Sequence, residues 1–237
     1  MILYVNGCSH SAAAEAATTH GWASDDGALL DMGTAPHPDN LAVSYGQHVA
    51  DALDADLICE ASSGGSNDRT IRTTLKWIEN NRNKLSDTFI VLQWTSWERE
   101  EWFYGSKFWQ VNASGIDTVP IKLEDKYKHY VINVDWNIKT SEAHAKIWEM
   151  HCYLKELGVQ HLFFSGHSTF SDIYNQHNWG KNYIEPYSRE HSYNAILINN
   201  NFEYVNPKSF HFGADAHCYW GKYLLQYIND NNLLTLK

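Results

Sequence analysis

The fold of this 237-residue chain is decided by the stretch TFIVLQW at residues 88–94. An almost unbroken apolar run of this length is typical of a strand in the middle of a parallel sheet, where both faces are covered. Three other short runs are also rich in apolar, β-prone residues. The sequence therefore predicts four strands, at Ile2–Asn6, Asp56–Glu60, Thr88–Trp94 and His161–Ser165.

Segments with helical character separate these strands. Helix-favouring residues, or apolar residues at helical spacing, occupy residues 10–18, 44–53, 66–85, 141–157 and 214–228. Strands that alternate with helices pair in parallel, and the helices cover both faces of the sheet. No internal repeat or linker divides the chain. We therefore expect one α/β domain over residues 1–237, built on a three-layer, doubly wound, mainly parallel sheet.

Residues 98–139 break the alternation of strands and helices. Aromatic and charged residues mix there, and Gly105 and Pro120 mark turns. We interpret this stretch as an aromatic-rich insertion or lid that includes a hairpin. Two weaker strands are predicted nearer the C-terminus, at residues 195–198 and 203–205.

The composition argues against several classes of partner. A net charge of −10 does not suit a protein that binds nucleic acid or an anionic membrane surface. No apolar run approaches the ~20 residues of a membrane span. The N-terminal MILYVNGCSH is too short and too soon polar for a signal peptide. We therefore expect a cytoplasmic protein without a nucleic-acid or membrane partner, and the sequence predicts no particular oligomeric state.

The spacing of cysteines and histidines indicates neither disulfides nor a metal site. Cys8, Cys59, Cys152 and Cys218 are scattered without a CxxC pair, a pattern typical of reduced thiols in a cytosolic protein. The chain has 13 histidines, but none of them lies in HExxH or a similar ligand spacing. We expect no metal and no cofactor.

The first polar segment that follows a strand is Gly-Cys-Ser-His-Ser at residues 7–11. In doubly wound sheets, ligands bind at the carboxyl ends of the strands, near the point where the strand order reverses. Ser9 would open a helix there, and the helix dipole and backbone N–H groups favour a developing anion. Ser9 is therefore a candidate nucleophile; the alternative is that it only caps the helix.

Two further segments lie in comparable places. SSGGSND at residues 62–68 follows the second strand, and its paired glycines let the backbone approach a substrate and offer an oxyanion N–H group. The alternative is a tight turn in which Asn67 caps the next helix. FHFGADAH at residues 210–217 leads into the last helix. His211 in that segment is a candidate general base, the alternative being a structural histidine.

Taken together, these segments resemble blocks I, II and V of the SGNH (GDSL-like) hydrolases. The motif sequences are more similar still to those of a branch found in tailed phages, because the chain contains, in this order, GCSHS, ASSGGSNDR, QWTSWER and HFGADAHCYW. The resemblance covers residues 1–97 and 205–228. It implies an SGNH-hydrolase (flavodoxin-like) fold, an ester hydrolase and, for a viral protein, the host cytoplasm as its location.

Carried over position by position, the resemblance implies a nucleophile at Ser9, an oxyanion glycine at Gly65 and a catalytic histidine at His211. His217 matches a second, helix-borne histidine of the family, and we expect it to be structural.

The chain departs from the family pattern after the third strand. Block III normally offers an asparagine as an oxyanion donor, and the matching residues 95–98 are Thr-Ser-Trp-Glu. We therefore expect the backbone N–H groups of Ser9 and Gly65 to hold the oxyanion, with Asn67, Thr95 or Ser96 as an additional donor.

A second departure concerns the acid of the catalytic triad. In the family this acid lies three residues before the histidine, a position that Lys208 occupies here. Either a Ser–His dyad operates without an acid, or an acid comes from elsewhere, with Asp215 and Glu60 as candidates.

The substrate is expected to contact His10, Trp94, Trp97 and Arg99, which lie at or beside the predicted strand ends. The aromatic side chains of residues 94–109 form either a platform that stacks on sugar rings or a satellite hydrophobic cluster beneath a long loop. Arg99 either holds an anionic group or pairs with neighbouring carboxylates.

These observations predict a serine esterase or deacetylase that acts on a small acyl ester, with an O-acetylated carbohydrate as the preferred substrate. One alternative is a catalytically silent SGNH-like fold that binds a carbohydrate or a protein as a viral component. Another is an acyltransferase that uses the same site.

Overall fold

The computed structural model describes residues 1–17, 36–113, 115 and 119–234. Its strands are β1 Ile2–Asn6, β2 Asp56–Cys59, β3 Thr88–Trp94, β4 Glu100–Tyr104, β5 Lys107–Val111, β6 Gln160–Ser165, β7 Tyr204–Asn206 and β8 His211–Phe212. Its helices are α1 Pro38–Ala42, α2 Tyr45–Ala52, α3 Asn67–Asn80, α4 Glu124–Asn133, α5 Trp136–Glu156, α6 Tyr193–Asn199 and α7 Ala214–Asp230. A 3₁₀ helix, Arg82–Asp87, connects α3 to β3.

The central sheet has four strands in the order β2-β1-β3-β6, and every neighbouring pair is parallel. This is the strand order of flavodoxin-like sheets, in which the chain direction along the sheet reverses between the first and third strands. The prediction of a doubly wound, parallel α/β fold is confirmed. All seven residues of β3 are buried, as the apolar run predicted.

Helices cover both faces of the sheet, because successive side chains of a buried strand point to opposite sides. Leu3 of β1 belongs to a buried cluster with Trp220 of α7, whereas Tyr4 belongs to a second cluster with Ile147 of α5. Burying one large apolar side chain contributes about 1.5–3 kcal/mol to stability. Both clusters therefore hold the helices against the sheet, which gives three layers.

The segment after β1 is not helical. Residues 8–17 form consecutive turns, and Ala13 and Glu15 have positive φ angles of 51° and 65°. The expected helix over residues 10–18 is therefore wrong for the described part, and residue 18 lies outside it. The physical reason is tertiary: the side-chain oxygen of Gln93 accepts hydrogen bonds from Cys8 N and Ser11 Oγ. These contacts outweigh the helix propensity of alanine, which is worth less than about 1 kcal/mol per residue.

Because no helix begins at Ser9, this residue does not cap one. A capping role, the alternative considered for Ser9, is thus excluded by the local backbone.

The aromatic-rich stretch after β3 contains the hairpin formed by β4 and β5. Two ion pairs attach this hairpin to neighbouring helices. Arg72 of α3 makes two contacts to the Glu101 carboxylate at 2.6 and 2.7 Å, and Lys139 of α5 lies 2.5 Å from Glu100. Helix α5 begins at Trp136, earlier than the apolar spacing predicted, because the Asp135 side chain accepts hydrogen bonds from the first backbone N–H groups.

One predicted strand near the C-terminus is wrong. Residues 195–198 lie inside helix α6, whose first turn is capped by the Ser192 side chain accepting a hydrogen bond from Ala195 N. A short apolar run does not by itself distinguish a strand from a buried helical turn. The other weak strand forms as β7, which pairs antiparallel with β8.

The four cysteines all lie in the described residues, and each is a free thiol in the structure. None of the helices in the described ranges combines the length and apolarity needed to cross a membrane.

Candidate functional site

The candidate site lies at the carboxyl ends of β1 and β3, where the strand order reverses. Gly7 makes this junction possible. A Cβ atom there would lie 2.8 Å from the Cβ of Gln93 and 2.6 Å from the Oγ of Ser11, so no larger residue fits. Because Gly7 packs closely against Gln93 of β3, the chain can turn directly after β1, and Ser9 follows this turn.

A pocket of about 680 Å³ opens at this position, a size typical of small-molecule sites. Its walls include Ser9, His10, Gly64, Arg99, His167 and His211. The structure thus brings together four residues that the sequence analysis placed in a site, although they are far apart in the chain: Ser9, His10, Arg99 and His211.

His211 is held by a carboxylate that the sequence analysis did not identify. Its Nδ1 lies 2.7 Å from Oε2 of Glu15, and the two side chains are 8% and 2% exposed. The hydroxyl of Ser209 also donates to this carboxylate oxygen. A buried carboxylate on Nδ1 fixes the orientation and tautomer of an imidazole and stabilises its protonated form.

Glu15, rather than Asp215 or Glu60, is the acid that contacts His211 among the described residues. The Asp215 carboxylate instead accepts a hydrogen bond from Ala216 N at the start of α7, and no contact joins it or Glu60 to His211 among the described residues. The sequence did carry one signal for Glu15, namely a single acidic residue within the small-residue run SAAAEAA. A charge in a segment that packs against a sheet must find a partner.

The Ser9 hydroxyl makes no hydrogen bond to any residue that the structure describes. It shares the pocket with His211, but the expected hydrogen bond between the two side chains is not formed in this structure. The backbone N–H of Ser9 likewise has no partner in the described ranges, and it is free to donate to a ligand.

The glycine turn after β2 places Gly64, rather than Gly65, at the pocket. The N–H of Gly65 donates to Ser62 O at 2.9 Å and is therefore occupied. Gly64 has a φ of +67°, which favours glycine, and it lines the pocket. Its N–H has no partner within the described part of the chain. The oxyanion donor predicted at Gly65 is thus better placed one residue earlier.

Asn67 and Thr95 hold each other instead of facing the pocket. The Asn67 amide donates to Thr95 O at 3.2 Å and accepts from Thr95 N at 2.8 Å. Both residues are buried, and neither lines the pocket. Their role as oxyanion donors is not supported by this geometry, because the amide is used to fasten the end of β3 to the start of α3.

Trp94 and Trp97, predicted to contact substrate, are buried among other aromatic side chains. Trp94 packs edge-on against Phe163 at 5.0 Å between ring centroids, and Trp97 stacks on Phe170 at 4.6 Å. Trp102 belongs to a small buried cluster under the insertion. Trp94, Trp97 and Trp102 therefore form core contacts and a satellite hydrophobic cluster rather than a platform in the pocket. The hairpin residues Phe103, Tyr104 and Phe108 are exposed, and none of them lines the pocket.

A pair of histidines, His10 and His167, lies in the same pocket as Ser9. His10 Nε2 is 2.7 Å from His167 Nε2, so one ring donates to the other. Burial, followed by the neighbouring His167, His211 and Arg99, lowers the pKa of His10 well below its usual value. Burial and then Arg99 lower the pKa of His167 to about 4. Both rings are therefore neutral at pH 7. The sequence feature that could have identified His167 is its position just after the predicted strand His161–Ser165.

His217 has a structural position. Its Nδ1 accepts a hydrogen bond from Tyr45 N, its ring stacks on Tyr45, and burial lowers its pKa to about 3. Within the described ranges, no group of three or more His, Cys, Asp or Glu side chains is arranged to hold a metal ion.

Comparison with known proteins returned one family. The sequence model of a family described as "Family of unknown function (DUF6071)" matches residues 31–178. The matched range excludes Ser9, Glu15 and His211. No curated protein matches the sequence.

Among solved structures, the chain is similar to an acetyl xylan esterase (Est2A) from the rumen bacterium Butyrivibrio proteoclasticus. The sequence identity is 15% and the TM-score is 0.44. The alignment covers 98% of this chain and 64% of that structure, so the chain spans less than two thirds of its length.

Proposed function

The chain belongs to the family of unknown function DUF6071, and we propose that it is a serine hydrolase that cleaves a small acyl ester, with an O-acetylated carbohydrate as its substrate. The observation that carries this proposal is the buried contact of 2.7 Å between His211 Nδ1 and Glu15 Oε2, in the pocket that also contains Ser9. A serine, an imidazole and a buried carboxylate are the three parts of a serine hydrolase triad.

In the proposed reaction, Ser9 Oγ attacks the acyl carbonyl and His211 Nε2 takes the hydroxyl proton. Glu15 stabilises the imidazolium that forms. The negative charge that develops on the carbonyl oxygen is held by the N–H groups of Ser9 and Gly64. The ester C–O bond then breaks, and the leaving alcohol takes the proton from His211.

Water completes the cycle. His211 removes a proton from water, whose oxygen attacks the carbonyl of the acyl-enzyme. The bond to Ser9 Oγ then breaks, the carboxylic acid leaves, and His211 returns the proton to Ser9. In unliganded sites, catalytic hydrogen bonds are often long and shorten when substrate binds. The proposed mechanism requires the Ser9 hydroxyl to come within hydrogen-bond distance of His211 Nε2 when substrate binds, for example through a change between ordinary χ1 rotamers.

The preference for a carbohydrate rests on the polar walls of the pocket. The amide side chains of Asn112, Asn194 and Asn206 line it, and amides donate to and accept from sugar hydroxyls. Asn194 Oδ1 is buried without a hydrogen-bond partner in the described residues, which leaves an acceptor for a substrate hydroxyl.

The test is the reaction of Ser9 with a fluorophosphonate probe, together with turnover of p-nitrophenyl acetate and of an acetylated monosaccharide. Wild-type protein should be labelled and should release acetate, and Ser9→Ala should lose both properties while its thermal midpoint changes little. Ser86→Ala, a matched serine change at the opposite end of β3, should behave as wild type. Turnover that survives in Ser9→Ala would contradict the assignment.

A catalytically silent binding fold is the second candidate. It is favoured by the Ser9 hydroxyl, which has no hydrogen-bond partner in the described part of the chain, and by the absence of an asparagine from residues 95–98. This candidate requires that wild-type protein is neither labelled nor active, yet binds the monosaccharide in calorimetry.

A further inference from the structure

Arg99 is a cation in the pocket wall that makes no ion pair within 4 Å to any described residue. Its Nε and Nη1 atoms are buried and have no hydrogen-bond partner in the described residues. Glu98 is the neighbouring carboxylate, and burial raises its pKa although Arg99 opposes this effect. No nitrogen–oxygen pair of Arg99 and Glu98 within 4 Å occurs in the described ranges. The guanidinium therefore retains donors for a ligand.

The charge of the pocket is opposite to that of the protein. The chain has a net charge of −10, yet the described side chains in the pocket wall that are charged at neutral pH are Arg99 and Lys208. His10 and His167 are neutral there, and no described aspartate or glutamate lines the wall. Glu15 lies behind His211, where the imidazole covers it.

A partly buried guanidinium with unused donors carries a desolvation cost that an anionic ligand offsets. Guanidinium groups recognise carboxylates through paired, charge-assisted hydrogen bonds that a neutral ligand cannot replace. Because Arg99 and Ser9 line one pocket, an anion bound at Arg99 would belong to the same molecule as the ester that reaches Ser9.

We propose that Arg99 forms a carboxylate subsite, and that the substrate is an acyl ester whose alcohol part carries a carboxylate, such as an O-acetylated uronic acid. This inference rests on the proposed esterase function for its kinetic test, but the anion subsite itself can be tested without turnover.

The kinetic test compares two substrates that differ only in the group at one ring substituent: the acetyl esters, at the same ring hydroxyl, of methyl glucuronoside (a free carboxylate) and of methyl glucoside (a neutral hydroxymethyl group). Wild-type protein should prefer the uronate ester. Arg99→Gln should lower kcat/KM for the uronate ester by ~10–100-fold, the size of the loss expected for one charge-assisted hydrogen bond, and should lower kcat/KM for the neutral ester by a clearly smaller factor. Arg82→Gln, at the opposite end of the sheet, is the matched control and should change neither value. An equal loss on both esters, or no preference in wild type, overturns the carboxylate subsite.

The binding test separates this inference from the esterase proposal. Calorimetry with glucuronate and with glucose should detect glucuronate binding to wild-type protein, and Arg99→Gln should weaken it by a similar factor. If wild type cleaves neither ester but binds glucuronate through Arg99, the subsite stands and the esterase proposal fails. If glucuronate binds no better than glucose, or binds equally to Arg99→Gln, the inference is wrong.

Discussion

Glu15 combines two features that are each unfavourable in isolation. Its backbone has a φ of 65°, a conformation that non-glycine residues rarely adopt, and its carboxylate is buried. Such a residue persists only where its surroundings compensate for the strain and the desolvation, and these residues cluster at functional sites. His211 and Ser209 supply that compensation through their contacts to the carboxylate.

At the residue scale, we therefore expect Glu15→Gln to lower kcat by ~10²–10⁴-fold, because a neutral amide does not stabilise the His211 imidazolium and permits the wrong tautomer. The measurement is steady-state turnover of p-nitrophenyl acetate. Glu79→Gln, a change on the exposed face of α3, should leave kcat unchanged. If Glu15→Gln retains full activity with an intact fold, Glu15 is only a packing partner of His211.

At the element scale, the Asn67 side chain fastens α3 to β3. Because its amide satisfies both backbone groups of the buried Thr95, we expect Asn67→Ala to lower the free energy of unfolding by ~1–3 kcal/mol. Asn81→Ala removes a side-chain contact to the Trp77 carbonyl at the other end of α3 and should cost less. Urea denaturation of both variants gives the comparison. If both variants lower the free energy of unfolding equally, the Asn67 contacts stabilise the fold no more than the Asn81 contact does.

At the scale of the whole molecule, buried neutral histidines make stability depend on pH. Burial lowers the pKa of His217 to about 3, and that of His161 and His167 to about 4. An unfolded histidine titrates near ~6.5, so the unfolded chain binds more protons than the folded chain between these values. The free energy of unfolding therefore rises with pH: this stability is present above ~6.5 and is lost as the pH falls toward 4.

We expect urea unfolding at pH values from 4 to 7 to show this slope, and His217→Gln to reduce it by up to ~1.4 kcal/mol per pH unit, the contribution of one proton. His129→Gln, a substitution on the exposed surface, serves as the control and should leave the slope as in wild type. A flat profile between pH 4 and 6.5 would contradict the burial of neutral histidines.

The sequence by itself determined the parallel sheet and the places where chemistry follows its strands. Alternation of apolar runs with helical segments is a local property, and it placed Ser9 and His211 at one edge of a sheet without knowledge of any contact. The sequence also identified the glycine turns after the strands, because the backbone freedom of glycine depends on residue type alone.

Only the tertiary structure decided which groups support Ser9 and His211. Glu15 meets a histidine 196 positions away, His10 meets His167 across 157 positions, and Asn67 turns to Thr95 instead of the pocket. Each of these outcomes depends on hydrogen bonds between segments that are distant in the chain. Such bonds override local helix propensity at residues 8–17, because a buried polar group costs more than a helical turn contributes.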